Sequence, residues 1–391
     1  MTRVPVKPEL LHWACERAGV DVDALKEHFP KLPQWISRQA QPTLKQLEAF
    51  AKATRAPVGC FFLPEPPVEV LPIPDFRTMS GRAVARPSPD LLDTIYLCQQ
   101  RQEWYRDFAR VGGDRGPAFV GSARTTDDVV RVAAGMRRAL GFDLQERRQL
   151  STWEAALRRF IEQADELGVL VMVNGVVGSN NFRRLDPREF RGFTLSDPLA
   201  PLIFINGADT KAGQMFTIAH ELAHLWLNQS ALTDANPRSS PGIPPGNRAA
   251  TQAMEDWCNR AAAELLVPLA ALRQERRPQE PLQQAMDRLA RQFKVSTLVI
   301  LRRIYDAGGL SREAFWRVYD AELARLQTLP RASGGGDFYR TTAARVGKRF
   351  ARAVVASAAE GRSSFTEAFR LLGFHKMATF HELGQNLGVL L

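Results

Sequence analysis

The sequence predicts a fold of the α+β class that is predominantly helical and contains one small sheet. Apolar residues at helical spacing recur along most of the 391 residues, a pattern typical of amphipathic helices. β-Branched, alternating or continuously apolar runs in the middle of the chain predict three strands, at residues 169–178, 190–197 and 201–209. After them we expect a long helix from about Thr210 to Leu227, because no glycine or proline occurs between Gln214 and Leu227.

The composition is that of a globular protein, with 45% hydrophobic and 24% charged residues, and excludes disordered, collagen-like and coiled-coil chains. The four cysteines are far apart and form no CxxC pair, so we expect a cytoplasmic location and no zinc site made of cysteines alone. No run of 18 uninterrupted apolar residues occurs, and no membrane partner is expected. The net charge is +10, of which residues 331–391 supply half, with 9 basic and 4 acidic side chains.

Proline and glycine divide the chain into four predicted regions. The proline-rich stretch 64–76 predicts an extended boundary, and SGGGD at 333–337 predicts a flexible hinge. Four or five short helices are expected before the boundary and three after the hinge, whereas the loop 230–250 contains too much proline, glycine and serine for regular structure. The regions are a helical N-terminal domain (1–75), a helical connector (76–124), a domain with the sheet and the long helix (125–330) and a basic helical extension (331–391).

The long helix carries an HExxH motif formed by His220, Glu221 and His224. Positions four apart share a helix face, so both imidazoles can bind one ion about 2.0 to 2.1 Å away while Glu221 points at water bound to that ion. Zinc also needs a third protein ligand and an open position for that water. The motif therefore predicts one Zn²⁺ per chain. A second string, HELGQ at 381–385, has Gln385 where a ligand is required and is interpreted as helix packing.

The third ligand is expected from a second helix packed against the first. The segment MEDWCNRAAAELLVP offers three carboxylates and a thiol, only one of which is expected to face the ion: Glu255, Asp256, Cys258 and Glu264.

Together these strings resemble the ImmA/IrrE family of metallopeptidases, whose pattern is HExxH, then ExxAN or ExxAD, then FAAELLxP. FRGFTLSD, APLIFINGAD and QMFTIAHELAH are similar to the family's zincin-like core of strand, strand and helix. The resemblance implies a gluzincin-type site with Glu255 as the third ligand. Cys258 replaces the family's alanine and is expected to be a small buried residue rather than a thiolate ligand. Glu264 is either a hydrogen-bonding partner of a ligating histidine or a helix-packing residue.

The resemblance extends to both ends of the chain. PTLKQLEAFAKATRAPVGCFFL with PPVEVLPIPDFRT is similar to the XRE-like helix-turn-helix module of one branch of the family, and the basic tail is similar to the extension of that branch. This implies a zinc-dependent endopeptidase in which Glu221 takes the proton of the attacking water and returns it to the leaving nitrogen. The implied substrate is a regulatory protein, an XRE-type repressor or a toxin-antitoxin partner, in a stress, phage or toxin-antitoxin context.

The strand FRGFTL contains candidates for substrate binding: Arg191, Gly192, Phe193 and Thr194. At a sheet edge this strand would hold an extended substrate by β-augmentation, but its alternation fits an internal strand equally well. Arg191 is either a donor to the developing oxyanion or a solvated residue at the rim.

A second hypothesis belongs to another functional class, a DNA-binding antitoxin or transcriptional regulator in which the metal is structural or sensory. Its candidate groove residues are Gln34, Ser37, Arg38 and Gln39. The balance of 10 basic and 9 acidic residues within 1–80 argues against it, because binding phosphates normally requires a basic excess. Basic residues of the tail recur at helical spacing and offer either a nucleic-acid contact or a solvated helix face: Arg345, Lys348, Arg349 and Arg352.

Overall fold

The computed structural model of the chain describes residues 3–69, 71–75, 87–233, 247–277, 279–328 and 338–389. The predicted SGGGD hinge lies outside the described residues. The α+β, predominantly helical class is confirmed, because helices form most of the regular structure and four strands form one small mixed sheet. The chain divides into two compact units, one formed by Met1–Pro72 and Ala83–Tyr96 and the other by Ile73–Arg82 and Leu97–Leu391.

Short helices with local start and stop signals build the first unit. They are α1 (Pro8–Ala18), α2 (Val22–Lys26), α3 (Leu32–Ile36) and α4 (Leu44–Ala53), followed by a 3-10 helix (Val58–Phe62). α1 starts with a proline and ends at Gly19 in the left-handed conformation. Thr43 and Gln46 form a capping box at the start of α4. The aromatic side chains of Trp35, Phe50 and Phe61 are buried together at the centre of this unit.

The remaining helices begin with α5 (Pro89–Val111), whose first residues belong to the first unit and whose later residues belong to the second. The second unit continues with α6 (Val129–Leu140), α7 (Leu144–Gln149), α8 (Trp153–Glu166), α9 (Lys211–Trp226), α10 (Asn247–Leu266), α11 (Leu269–Glu275), α12 (Leu282–Phe293), α13 (Thr297–Asp306), α14 (Arg312–Thr328), α15 (Phe338–Val346), α16 (Lys348–Ala359), α17 (Phe365–Leu372) and α18 (Met377–Asn386). Among the described residues, no helix combines the length and the apolar composition needed to cross a bilayer.

The strands are β1 (Leu170–Asn174), β2 (Val176–Val177), β3 (Asn180–Arg184), β4 (Gly192–Leu195), β5 (Leu202–Asn206) and β6 (Ala231–Thr233). β2 and β3 form a separate hairpin, and the main sheet has the order β1-β5-β4-β6. β1 runs parallel to β5, whereas β4 is antiparallel to both of its neighbours. The expectation that the loop 230–250 has no regular structure is wrong at both ends, because β6 pairs with β4 and α10 begins at Asn247.

Helix α9 lies between the sheet and other helices, and this position buries nearly its whole length. It packs against strands β4 and β5 and against helices α8 and α10. Thr210 caps its first turn by accepting from the backbone N–H of Gly213. Because α10 packs along α9, side chains from the two helices can meet at one point.

The described part of the C-terminal extension, residues 338–389, contains four helices rather than the three predicted. The break falls at Gly347, which has a φ of +84° and lies so close to β1 that an added Cβ would stand 2.9 Å from the carbonyl oxygen of Val171. Only glycine accommodates both constraints without strain. The chain therefore turns between α15 and α16 where it contacts the outer strand β1.

Basic residues of the tail form contacts within the second unit, either to residues before the tail or to the tail itself, and neither predicted role had included such contacts. Lys348 bonds Glu162 of α8 at 2.7 Å, and the backbone N–H of Arg349 donates to Asp165 at 3.1 Å. The side chain of Arg349 also donates a hydrogen bond, from Nε to the Tyr105 hydroxyl at 2.7 Å. Two further arginines donate hydrogen bonds, Arg352 Nε to the Leu387 carbonyl at 3.1 Å and Arg345 Nη2 to Asn181 Oδ1 at 3.4 Å. Three basic residues of α16 and one of α15 are thus engaged in contacts within the second unit.

Candidate metal centre

Three side chains from α9 and α10 converge on one point. The Nε2 atoms of His220 and His224 are 3.0 Å apart, and the carboxylate oxygens of Glu255 lie 3.3 Å from the first and 3.1 Å from the second. Both histidines are fully buried and Glu255 is 8% exposed. Among the described residues, this is the one group of three His, Cys, Asp or Glu side chains close enough to hold a metal ion.

The donor set and its spacing fit a zinc ion. Ligands bound tetrahedrally at about 2.0–2.1 Å lie about 3.3 Å from one another, close to the separations between these atoms. Two histidines and one glutamate also form a known catalytic zinc set. Burial is the largest single influence on the pKa of His220 and acts to lower it, but the charge and hydrogen bond of Glu255, together with the charge of Glu221, contribute to a net rise of that pKa. Burial would raise the pKa of Glu255, yet the imidazoles of His224 and His220 hold it far below its usual range.

Glu221, the middle residue of the motif, is held by two threonines from neighbouring strands. The Thr194 hydroxyl of β4 donates to Oε2 at 2.6 Å, and the Thr233 hydroxyl of β6 donates to Oε1. Burial raises the pKa of Glu221, although the histidines and both hydroxyls act to lower it. A fixed carboxylate with a raised pKa is suited to accept a proton near neutral pH.

Gly192 provides the space in which Glu221 and its neighbours pack. A Cβ at this position would lie 2.6 Å from Cγ2 of Thr217, 2.9 Å from the carbonyl oxygen of Phe204 and 3.3 Å from Oε1 of Glu221. Gly192 and Thr194 therefore face α9, and the glycine is required by close packing against the helix rather than by its φ angle.

The structure contradicts the hypothesis that FRGFTL is an open edge for substrate. β4 is an internal strand, paired with β5 on one side and β6 on the other, so its main chain has no free edge for β-augmentation. Phe193 points away from α9 and stacks on Phe204 with ring centroids 5.0 Å apart. Arg191 is 37% exposed and lies 3.8 Å from Asp209, as expected for a residue at the rim.

Glu264 does not serve as a partner of a ligating histidine, because its carboxylate faces another helix. Its Oε2 accepts from Nη2 of Arg303 in α13 and from the backbone N–H of Leu269 at 3.3 Å. Arg303 also donates to the Val267 carbonyl at 2.9 Å. Of the two interpretations of Glu264, its position fits that of a helix-packing residue.

Cys258 lies behind the metal triad, with Sγ 3.7 Å from Nδ1 of His224. The residue is fully buried, and burial raises the pKa of its thiol well above the usual value. Its position therefore favours a neutral, small buried side chain over a thiolate ligand. Asp256, another candidate ligand, is exposed and accepts from Gln252 at 3.2 Å.

The candidate DNA-contacting residues lie on the surface of the first unit. Gln34, Ser37 and Arg38 are exposed, as is Gln39, but α3 ends at Ile36 and only Gln34 lies within it. Arg38 has a φ of +61° and is 3.4 Å from Glu9. At the other end of the chain, His381 and Glu382 of the HELGQ string are exposed on α18.

The sequence interpretation missed Thr233 and misassigned the role of Thr194. A threonine at an inward position of a buried strand is a weak signal that its hydroxyl has a polar partner. Which partner it has depends on the order of the strands, which no local pattern contains.

The segment that contains this centre matches a known protein family. Residues 164–305 match the IrrE N-terminal-like domain of the peptidase family M78, and this range includes the main sheet, α9, α10 and the triad. Residues 346–386 match a domain of unknown function, DUF8813. No curated protein matches the chain. The M78 match supports the ImmA/IrrE family for the segment that holds the triad, and with it a function of the metallopeptidase type.

Proposed function

We propose that the chain is a zinc-dependent endopeptidase that cleaves a regulatory protein, an XRE-type repressor or a toxin-antitoxin partner, in a stress, phage or toxin-antitoxin context. The observation that carries the proposal is the convergence of His220, His224 and Glu255 beside Glu221. His220, His224 and Glu255 would hold the ion. A zinc ion there supplies Lewis-acid chemistry, which polarises a peptide carbonyl and makes water nucleophilic near neutral pH.

The side chains around the ion divide the remaining work. Glu221 accepts the proton of the attacking water and gives it to the leaving nitrogen. Thr194 and Thr233 fix both carboxylate oxygens, so that Glu221 does not have to reorient during the reaction. The buried Glu255 lies against both imidazoles and directs their Nε2 atoms to one point.

We expect Glu221→Gln to retain about one zinc per chain and to lower cleavage of a repressor encoded next to this gene by at least about 1,000-fold. The amide keeps the shape of the side chain but cannot accept the proton. Zinc content by elemental analysis and cleavage on co-expression measure the two effects. Glu382→Gln is the matched control, because this exposed glutamate follows a histidine in the HELGQ string and should leave cleavage unchanged. Cleavage by Glu221→Gln would refute the assigned role.

Thr233→Val should lower the rate of cleavage about 10- to 100-fold without loss of zinc. The variant removes one donor to a buried carboxylate, and hydrogen bonds to charged groups contribute about 1.5–3 kcal/mol. Thr233→Ser keeps the hydroxyl and should retain most of the rate. Equal rates for the valine and serine variants would show that this hydroxyl does not position Glu221.

For the first unit we propose that it docks the protein substrate rather than reading DNA. The near-neutral charge of residues 1–80 and the shortness of α3 support this choice. Arg38→Glu should then weaken cleavage of the repressor, whereas binding to repressor operator DNA should be undetectable in both the variant and the parent. Tight, salt-dependent operator binding by the parent would favour the alternative of a DNA-binding antitoxin or regulator.

A further inference from the structure

A short piece of the chain lies along the outer edge of β6. Asp75 forms an isolated parallel bridge with Leu232, and the backbone N–H of Leu232 donates to the carbonyl oxygen of Pro74 at 3.0 Å. The side chain of Ile73 is buried, with 6% of its surface exposed. The segment Ile73–Asp75, named here the edge segment, therefore takes the place that a further strand would occupy.

This edge is the one closest to the catalytic glutamate. β6 carries Thr233, whose hydroxyl donates to Glu221, and the two sides of β6 face β4 and the edge segment. β4 is internal, and β1 at the opposite side of the sheet contacts α15 and Gly347. Main-chain groups at a sheet edge bind extended peptides readily. A peptide paired with β6 would lie one strand spacing, about 4.8 Å, from the strand whose Thr233 hydroxyl donates to Glu221.

We propose that the outer edge of β6 is a docking surface for an extended polypeptide and that the edge segment occupies it as an internal competitor. The inference rests on the proposed function, because the polypeptide in question is the peptidase substrate. The edge segment indicates the chemistry that fits: an extended backbone with an apolar side chain that enters the position of Ile73. Prolines at 72 and 74 favour such a backbone, since they fix φ in the extended range and carry no amide donor.

In this arrangement the peptidase can bind substrate at β6 only after the edge segment has left. While the edge segment is paired, the N–H of Leu232 is unavailable to a substrate strand. When the segment leaves, the same N–H can bind a substrate carbonyl. A partner that pulls on the chain before Ile73 would therefore increase the fraction of molecules able to bind substrate.

A synthetic peptide with the sequence of residues 67–78, PVEVLPIPDFRT, tests the docking surface directly. Its fluorescein-labelled form is titrated with full-length chains that all carry Glu221→Gln, so that binding is measured without hydrolysis. Ile73→Asp places a charge at the buried anchor and should release the edge segment, increasing peptide affinity at least tenfold over the parent. Val68→Asp is the matched control, because Val68 is in the same stretch and is 88% exposed; its affinity should equal that of the parent.

Two further measurements make the test independent of folding defects. Ile73→Ala, a milder change, should give an intermediate affinity. In hydrogen exchange, the Leu232 amide should exchange faster in Ile73→Asp and be protected again by added peptide. If neither Ile73 variant binds the peptide better than Val68→Asp does, the edge segment is a permanent cover and the proposal is overturned. Peptide binding without repressor cleavage supports docking while refuting the peptidase, and cleavage without peptide binding refutes docking alone.

Discussion

Replacing Glu255 by alanine is expected to lower the zinc affinity at least about 100-fold and to abolish cleavage. Losing an outer partner of a ligand already costs about 10–100-fold in metal affinity, and Glu255 is itself one of the three converging ligands. Its removal would also leave the Nε2 atoms of His220 and His224 3.0 Å apart without the carboxylate that lies against both. Competition with a chromophoric chelator measures the affinity, and elemental analysis measures the stoichiometry.

Asp256→Ala is the matched control for the third ligand. Asp256 follows Glu255 directly, is an equal candidate by residue type, and is exposed. The variant should bind zinc as the parent does. Equal zinc affinities for Glu255→Ala and the parent would remove Glu255 from the site, and a loss confined to Asp256→Ala would assign the ligand to the neighbouring residue.

The geometry within α9 could be predicted because it depends on helical spacing alone. His220 and His224 are one turn apart, and any regular helix places both imidazoles on one face. The identity of the third ligand is a different kind of problem, since Glu255 and Asp256 are both carboxylates on the same helix and differ by about 100° in direction. Residue chemistry left both open, and the family resemblance selected Glu255, the one that the structure brings to the histidines.

The surroundings of Glu221 could not be predicted, because they depend on the order of the strands. Thr194 and Thr233 are 39 positions apart in sequence and meet at Glu221 only because β4 and β6 are neighbours. A four-residue apolar run contains no information on whether it is an edge or an internal strand. β6 is three residues long and opens a segment rich in proline and glycine, so composition indicated a loop where pairing with β4 forms a strand.

Glu264 shows why a buried carboxylate in an apolar run indicates that a partner exists but not which one. The string AAAELL places the glutamate in the core, where an isolated charge would be very costly. Either a ligating histidine or a cation from a distant part of the sequence could pair with that charge. The partner is Arg303, 39 positions later on α13. Arg303 also pairs with Asp306, at 3.1 Å, and its more exposed neighbour Arg302 pairs with that same aspartate.

Arg303→Met is expected to reduce the free energy of unfolding by about 3–5 kcal/mol, because it leaves the carboxylate of Glu264 buried without its cation. Adding Glu264→Gln should restore part of the loss, since the amide carries no charge. Arg302→Met is the matched control and should cost less than about 1 kcal/mol, as a partly exposed pair does. Urea unfolding of the metal-free proteins compares the four chains. Equal losses for the Arg303 and Arg302 variants would contradict a buried ion pair.

We expect Arg303→Met to weaken zinc binding as well, through its effect on α10. Arg303 holds the C-terminal end of this helix through Glu264 and the Val267 carbonyl, and Glu255 lies nine residues earlier, about 14 Å along the axis. The packing of α10 on α9 brings Glu255 to the histidines, and a loosened end of α10 would weaken that packing. Zinc binding should therefore become weaker in Arg303→Met and recover in part with Glu264→Gln, in parallel with stability. A stability loss with unchanged zinc affinity would mean that α9 and the sheet alone hold the triad in place.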